Sequence, residues 1–424
     1  MALLFSRIEP LLLPQAEHPR AGRLIVVALL LALAGAAGVA LLKGPVVTSD
    51  GWRDHYLARA LIDAGFLPWR WLEQVRPWMD ANNWPQSPLP YLAYHSVLAW
   101  IELLFGEHWY WGLTVFNVAC QAATAGILAY LVLRLGGTGL GALACGLSCA
   151  ACWEFVQWVP QTQMDTSFVT LIAATLALFA MAVISRYRPA LLAALALVLL
   201  ANLYKPTGAV MLVYALVVLF AWWRLDGRDL EADYRTLRTI TLVALVALLI
   251  SLPLLAYPLY QPGILPDGAV ENSFAGYHER AANGEVVWSR ADFSIAPMQG
   301  YGDFVTLVFA RLLAFFWFTA EDFSRAHVLI NVGFFVPFYG LVLLGAGAVF
   351  LSRGLDVRLR LVGLLAVGLT ALFDGFHAVT LLDFDWRYRS PTYPALFVLM
   401  VCGLDWIIVR FIRKRHADAS TVVG

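Results

Sequence analysis

The sequence predicts an all-α, polytopic integral membrane protein, and three observations support this fold class. Apolar residues make up 61% of the 424 residues, charged residues make up 14%, and mean hydropathy is +0.71. Soluble domains are roughly half apolar and a quarter charged, so most of this chain is suited to lipid. Apolar runs follow one another along the sequence, and no polar stretch is long enough for a separate core. We therefore expect a single transmembrane domain over residues 1–424.

About ten transmembrane helices are expected, together with two interfacial or half-inserted helices. The apolar runs lie at 22–43, 90–105, 110–134, 138–157, 164–184, 188–204, 206–223, 237–257, 304–319, 328–352, 360–382 and 392–412. Runs 90–105 and 304–319 are short and contain His95, Glu102 and Arg311. When these two do not cross, the basic connections and both termini face the cytoplasm, as the positive-inside rule favours. Crossing by both would turn the arginines of 134–238 outward.

This topology gives the outer face two long loops, residues 44–109 and 259–327. Within the first loop, Trp52–Ile62 and Trp69–Met79 have the composition and spacing of helices that lie among lipid headgroups. The second loop contains Tyr277–Arg280 and Asp292, in a stretch suited to close over a substrate as a lid. Because acidic, histidine and tryptophan residues concentrate on this face, we expect the chemistry to take place there.

Three aspartates are candidates for the acidic groups of a site. Asp50 and Asp54 share one face of a predicted helix, and either one is a candidate general base or metal ligand. Asp50 is also a good helix N-cap, and Asp54 could simply be solvated. Asp165 lies at the outer end of a later span, where it is a second acid or another helix cap. We favour Asp50 as the base, with Arg53 or His55 orienting it, and a divalent metal (Mg or Mn) between Asp50 and Asp165 is a further option.

Basic residues at the outer face are candidates for binding an anion. Lys205 precedes Pro206, which begins a helix whose N-terminal amide groups favour negative charge. Arg387 and Arg389 flank Tyr388 beside Asp383 and Asp385. These cations could instead reach into the headgroups. A lipid phosphate would give each of them a partner.

Several remaining features are assigned structural roles. Asp374 and His377 are predicted to form an internal pair rather than a metal site. All five cysteines lie in apolar runs and are expected to be packing residues. The formal net charge is zero, so no nucleic acid partner is expected.

Short motifs then occur in an order that resembles one family. An aspartate opens the first outer loop, Tyr56–Gly65 reads Tyr-x-Ala-Arg-Ala-Leu-x-x-Ala-Gly, and Pro88–Tyr91 reads Pro-Leu-Pro-Tyr. A Met-Asp step then ends at Asp165, and Tyr204–Pro206 reads Tyr-Lys-Pro. Arg387–Pro394 reads Arg-Tyr-Arg-Ser-Pro-Thr-Tyr-Pro. This order resembles the GT-C superfamily of polytopic glycosyltransferases over nearly the whole chain. Protein O-mannosyltransferases and the aminoarabinose–lipid A transferase belong to that superfamily.

The resemblance implies a GT-C-like fold and an enzyme that moves a sugar from a polyprenyl-phosphate donor to a glycan, lipid or protein acceptor. It implies a bacterial inner (cell) membrane, with the active site facing the periplasm. Asp50 and Asp165 match the acids of the family's outer loops, while Lys205 and the Arg387/Arg389 pair match residues near the lipid phosphate. The chain departs from many members because Gly51, rather than a second acid, follows Asp50.

Two other functions stay open at this stage. A transporter or flippase of lipid-linked sugar would have charges near the midplane and paired broken helices in its two halves, which we do not find in the sequence. An O-antigen-type polymerase or ligase would have a large outer loop rich in arginine and histidine, whereas 259–303 contains only Arg280, Arg290 and His278. The residues do not specify the sugar, the acceptor or the length of the donor chain.

Overall fold

A computed structural model describes residues 21–82, 87–260, 283–286, 293–320, 323–352, 354–380 and 386–422, without the side chains of 256–260, 380, 386 and 412–422. Within these ranges the protein is helical, and its only β-type pairings are two isolated bridges. The all-α prediction is therefore confirmed for the described part of the chain. Residues 277–280, 292, 383 and 385, which the sequence analysis singled out, lie outside these ranges.

Fifteen helices are described, and each apolar run of the sequence contains one. They are α1 Ala21–Lys43, α2 Ser49–Asp63, α3 Pro68–Ala81, α4 Leu92–Phe105, α5 Trp109–Arg134, α6 Gly139–Ala151, α7 Trp153–Val156, α8 Asp165–Ser185, α9 Arg188–Asn202, α10 Ala209–Arg224, α11 Leu230–Tyr260, α12 Tyr301–Ala314, α13 Arg325–Leu351, α14 Val357–Thr380 and α15 Tyr393–Val422. Short 3₁₀ turns precede α4, α5, α10 and α15.

Eight stretches of the described residues are long and apolar enough to cross a membrane. They are Ala21–Lys43, Leu89–Arg134, Asp165–Ser185, Pro206–Arg224, Leu230–Leu255, Arg325–Leu351, Val357–Val379 and Ser390–Phe411. Two shorter apolar helices, α6 and α9, accompany them. The chain is thus a polytopic membrane protein.

Polar contacts fix both ends of the helix bundle. At one end, the side chain of Thr48 caps α2 by accepting a hydrogen bond from Gly51 N. At the other end, Thr138 caps α6, and the buried Asp405 carboxylate accepts from both the amide and the hydroxyl of Thr138, at 2.9 and 2.5 Å. Because side-chain oxygens satisfy amide groups that a helix leaves unpaired, these contacts hold the termini in place. We call the end with α2 the site end.

Helices α13 and α15 pack closely through two glycines. A Cβ at Gly345 would lie 1.9 Å from Leu399 O, and a Cβ at Gly403 would lie 2.1 Å from Leu341 O. Small residues of this kind let two helix backbones approach within a membrane. The seam supports the start of α15, which leads directly from the Arg387–Arg389 segment.

Replacing Gly345 by alanine is expected to destabilise the protein, because the new methyl group would collide with the α15 backbone. Overpacking of this kind costs about 1–3 kcal/mol, which exceeds the gain of about 1 kcal/mol in helix propensity. Gly347→Ala on the same helix meets open space and is the matched control. Thermal unfolding in detergent should show a lower Tm for Gly345→Ala alone, and equal Tm values in the two variants would contradict the predicted contact.

Candidate active site

Two chain segments far apart in sequence are joined at the site end, and we call this contact the tether. Val46 N donates to Pro160 O at 2.8 Å, and Thr162 N donates to Val46 O at 3.0 Å. Thr48 N also donates to the Thr162 hydroxyl at 3.1 Å. The tether brings the start of α2, with Asp50, toward the start of α8, with Asp165.

Gly51 is required by the tether. A Cβ at this position would lie 1.9 Å from the Thr162 hydroxyl and 2.9 Å from the Thr162 carbonyl oxygen. No side chain fits here while α2 stays against residue 162. The glycine that follows Asp50 therefore has a packing cause, which explains why this chain has no second acid at that place.

An alternating series of charges runs along α2. Arg53 donates to Asp50 Oδ1 and to Asp54 Oδ1, each at 3.1 Å. Arg387 donates to the other oxygen of Asp50, Oδ2, at 3.2 Å, and its guanidinium lies 5.8 Å from the ring centre of Trp158. Burial disfavours the charge on Arg53, but Asp54 and Asp50 outweigh burial and raise its pKa. Asp50 is thus held between two arginines.

Asp50 and Asp54 of α2 differ in exposure. The Asp50 side chain is 38% exposed, whereas that of Asp54 is 1% exposed. His95 Nε2 lies 3.3 Å from Asp54 Oδ1, and both groups are buried. Asp50 therefore keeps part of its surface exposed, while Asp54 is enclosed by Arg53 and His95.

Asp165 and Lys205 form a buried ion pair at the same end of the bundle. Lys205 Nζ donates to Asp165 Oδ1 at 2.5 Å. The ammonium group also lies 5.4 Å from the ring centre of Tyr388. The Tyr91 hydroxyl is within electrostatic range of Asp50, Asp54 and Asp165.

His55 lies apart from Asp50. Its Nε2 is 3.1 Å from Glu102 Oε2, its ring stacks on Trp109 at 4.4 Å, and Arg59 contacts the other oxygen of Glu102. Burial lowers the pKa of His55 below the usual 6.5, and the charge of Arg59 lowers it further. The structure therefore assigns the orienting contact with Asp50 to Arg53.

Arg389 is buried within the protein and is directed away from Asp50. Its Nη1 donates to Trp317 O at 2.7 Å, and its Nε lies within hydrogen-bond distance of the Tyr393 hydroxyl. These contacts hold the chain after α12 against the start of α15. Of the predicted arginine pair, Arg387 is the member that joins Asp50.

The internal pair predicted for Asp374 and His377 is not formed. Within the described part of the chain, no hydrogen bond joins the His377 ring to Asp374. The ring stacks on Phe315 at 5.3 Å and lies 5.6 Å from the ring of Tyr388. The imidazole is thus packed among aromatic rings of other segments.

Sequence reasoning missed two members of this arrangement, His95 and Tyr91. His95 stands in a largely apolar helix, and a buried polar residue in such a helix is a signal of a specific partner. Tyr91 closes the Pro-Leu-Pro-Tyr segment just before α4. Only the packing of α4 against α2 reveals that both face the aspartates.

Asp50 and Asp165, the candidate ligands of a divalent metal, do not fit a metal site in the arrangement that they have here. Asp50 faces Arg53 and Arg387, and Asp165 faces Lys205. Among the described residues, no cluster of three or more His, Cys, Asp or Glu side chains has the arrangement of a metal site. In this arrangement Asp50 and Asp165 are paired with cationic side chains.

Comparison with known proteins gave no relative: the chain matches no family model, no curated protein and no solved structure. The residues and contacts of the site therefore carry the information on function.

Gly51→Ala is expected to loosen the tether, because its methyl group would displace Thr162. The effect can be measured as the rate of disulfide cross-linking in a Val46→Cys/Gln161→Cys background, since these residues face each other in an isolated β-bridge. We expect slower cross-linking and a lower Tm. Gly38→Ala, which meets open space on α1, should leave both unchanged, and unchanged cross-linking in Gly51→Ala would show that the contact is not restrictive.

Proposed function

We propose that this protein is a glycosyltransferase that moves a sugar from a polyprenyl-phosphate donor to an acceptor of the cell envelope. The observation that carries the proposal is the partly exposed Asp50 between Arg53 and Arg387. A transfer from a lipid phosphate needs a base for the acceptor hydroxyl and cations for the departing phosphate. Both kinds of group stand side by side here, at the ends of apolar helices.

The proposed topology has ten spans in a GT-C-like arrangement. It consists of the eight stretches that are long enough to cross together with α6 and α9, while α3 and α12 lie at the interface. In this scheme α4 is half-inserted, although it belongs to the continuous apolar stretch that also contains α5. The arginines at the end opposite the site then face the cytoplasm, and the site faces the periplasm of a bacterial inner membrane.

Donor binding would change the partners of Asp50. A phosphate oxygen that enters between Arg53 and Arg387 competes with the carboxylate for the guanidinium donors, since arginine binds phosphate in two-pronged contacts. Asp50 is then free to accept a hydrogen bond from the acceptor hydroxyl. Lys205, held in place by Asp165, supplies a third cation.

In the transfer step, Asp50 takes the proton of the acceptor hydroxyl while the acceptor oxygen bonds to the anomeric carbon. The bond between that carbon and the phosphate oxygen breaks, and the polyprenyl phosphate leaves with the bonding electrons. Arg387 and Lys205 stabilise the negative charge that develops on the leaving oxygen. A direct displacement of this kind inverts the anomeric centre.

Asp50→Asn is expected to lower the turnover rate by about 10²- to 10⁴-fold, the usual contribution of a general base. The measurement is transfer of radiolabelled sugar from a polyprenyl-phosphate monosaccharide in membranes that contain the variant. Asp54→Asn tests the second candidate base on α2. Asp63→Asn is the control, because Asp63 is an exposed residue of the same helix. Full transfer by Asp50→Asn would remove the role proposed for this residue.

Arg387→Gln is expected to weaken donor use through the loss of a charge-assisted contact, which contributes about 1.5–3 kcal/mol. This corresponds to a fall in kcat/KM of roughly 10- to 150-fold. Arg387→Lys should recover part of the activity, because it restores the charge without the two-pronged geometry. A kcat/KM that is unchanged in Arg387→Gln would exclude the proposed phosphate contact.

A parallel assay with a lipid-pyrophosphate oligosaccharide separates this proposal from a polymerase or ligase. Transfer from the monosaccharide donor alone supports the proposed enzyme. Transfer from the pyrophosphate donor alone would reassign the site to the polymerase or ligase class.

A further inference from the structure

A cleft with a volume of about 630 Å³ opens at the end of the bundle opposite the site. Arg134, at the end of α5, lines it together with Arg228, just before α11, and Arg358, in the first turn of α14. Two helices and a connecting loop thus bring three arginines to one concavity. A volume of this size is typical of small-molecule sites.

The charge of the cleft is only partly compensated. Within the described ranges, neither Arg134 nor Arg358 forms a salt bridge, and no acidic residue lines the cleft. Acidic residues flank the cleft: Asp226 lies 3.8 Å from Arg228, Asp233 accepts a hydrogen bond from the amide of Gly227, and Asp356 accepts one from the Arg358 amide. The lining itself contributes three positive charges and no negative charge.

The remaining walls suit the boundary of a membrane. Tyr130 and Tyr187 line the cleft, and Met181 and Ile184 of α8 contribute apolar surface. Tyrosine favours the interface between lipid and water. A lining that combines arginines with apolar side chains suits a phosphate group joined to an acyl chain.

We propose that this cleft binds the phosphate headgroup of an anionic membrane lipid. The arginines contact the phosphate, and the acyl chains leave along the apolar side of α8. The cleft is separated from Asp50 by the length of the bundle, so the proposal does not depend on the proposed glycosyl transfer.

The test titrates delipidated, detergent-purified protein with phosphatidylglycerol and follows the bound lipid by native mass spectrometry. Binding should saturate at one tightly held lipid, with phosphatidylcholine binding more weakly. Arg134→Gln and Arg358→Gln should each weaken binding by about fivefold, the factor that corresponds to roughly 1 kcal/mol for each basic residue near a lipid surface. Arg134→Lys should restore most of the affinity, because it keeps the charge.

Arg224→Gln is the matched control, since Arg224 is exposed at the same end but does not line the cleft. Equal losses in Arg224→Gln and Arg134→Gln would overturn the proposal in favour of general attraction to the surface. Inorganic phosphate and glycerol phosphate form a separate arm, and binding of either as tightly as the lipid would overturn the lipid assignment. The substituted side chains are exposed, so we expect the Tm of each variant to be unchanged. An unchanged Tm excludes loss of fold as the cause of weaker lipid binding.

Discussion

The hydrogen bonds between residues 46–48 and 160–162 are the constraint on which the candidate site depends. They join the segment after α1 to the segment before α8 with backbone amides and one threonine hydroxyl. Backbone contacts need no particular side chain, but they demand close approach, and Gly51 permits it. The position of Asp50 relative to Asp165 follows from this contact. The tether thus fixes the backbone of the segments that carry these charged residues.

The site divides its aspartates between two kinds of environment. Asp54 is enclosed by Arg53 and His95, as a buried charge requires. Asp50 keeps part of its surface open, although arginines contact both of its oxygens. An enclosed carboxylate can hold neighbouring groups in position, and an open one can meet a substrate. The same helix therefore presents an exposed and an enclosed carboxylate one turn apart.

The sequence predicted the helices well because long apolar runs in a membrane protein have few alternatives to helix. It also placed Asp50, Asp165, Lys205 and Arg387 on one face, and the structure joins them as two pairs, Asp50 with Arg387 and Asp165 with Lys205. It did not predict their partners, because those depend on packing between distant segments: Asp50 and Arg387 are 337 residues apart. The placing of His55 against Glu102, and of Arg389 against backbone carbonyls, depends in the same way on neighbours that spacing along one helix cannot specify.

The balance of charge at the site has a consequence for release of product. Asp50, Asp54 and Asp165 are matched by Arg53, Arg387 and Lys205, so these six groups sum to zero. A sugar phosphodiester adds one negative charge, whereas the phosphate monoester that remains after transfer carries about −1.5 to −2 at neutral pH. In the proposed reaction, the negative charge brought by the lipid phosphate would therefore grow while the groups of the site stay balanced. Only the monoester titrates near neutral pH, so binding of the spent lipid would depend on pH more steeply than binding of the donor.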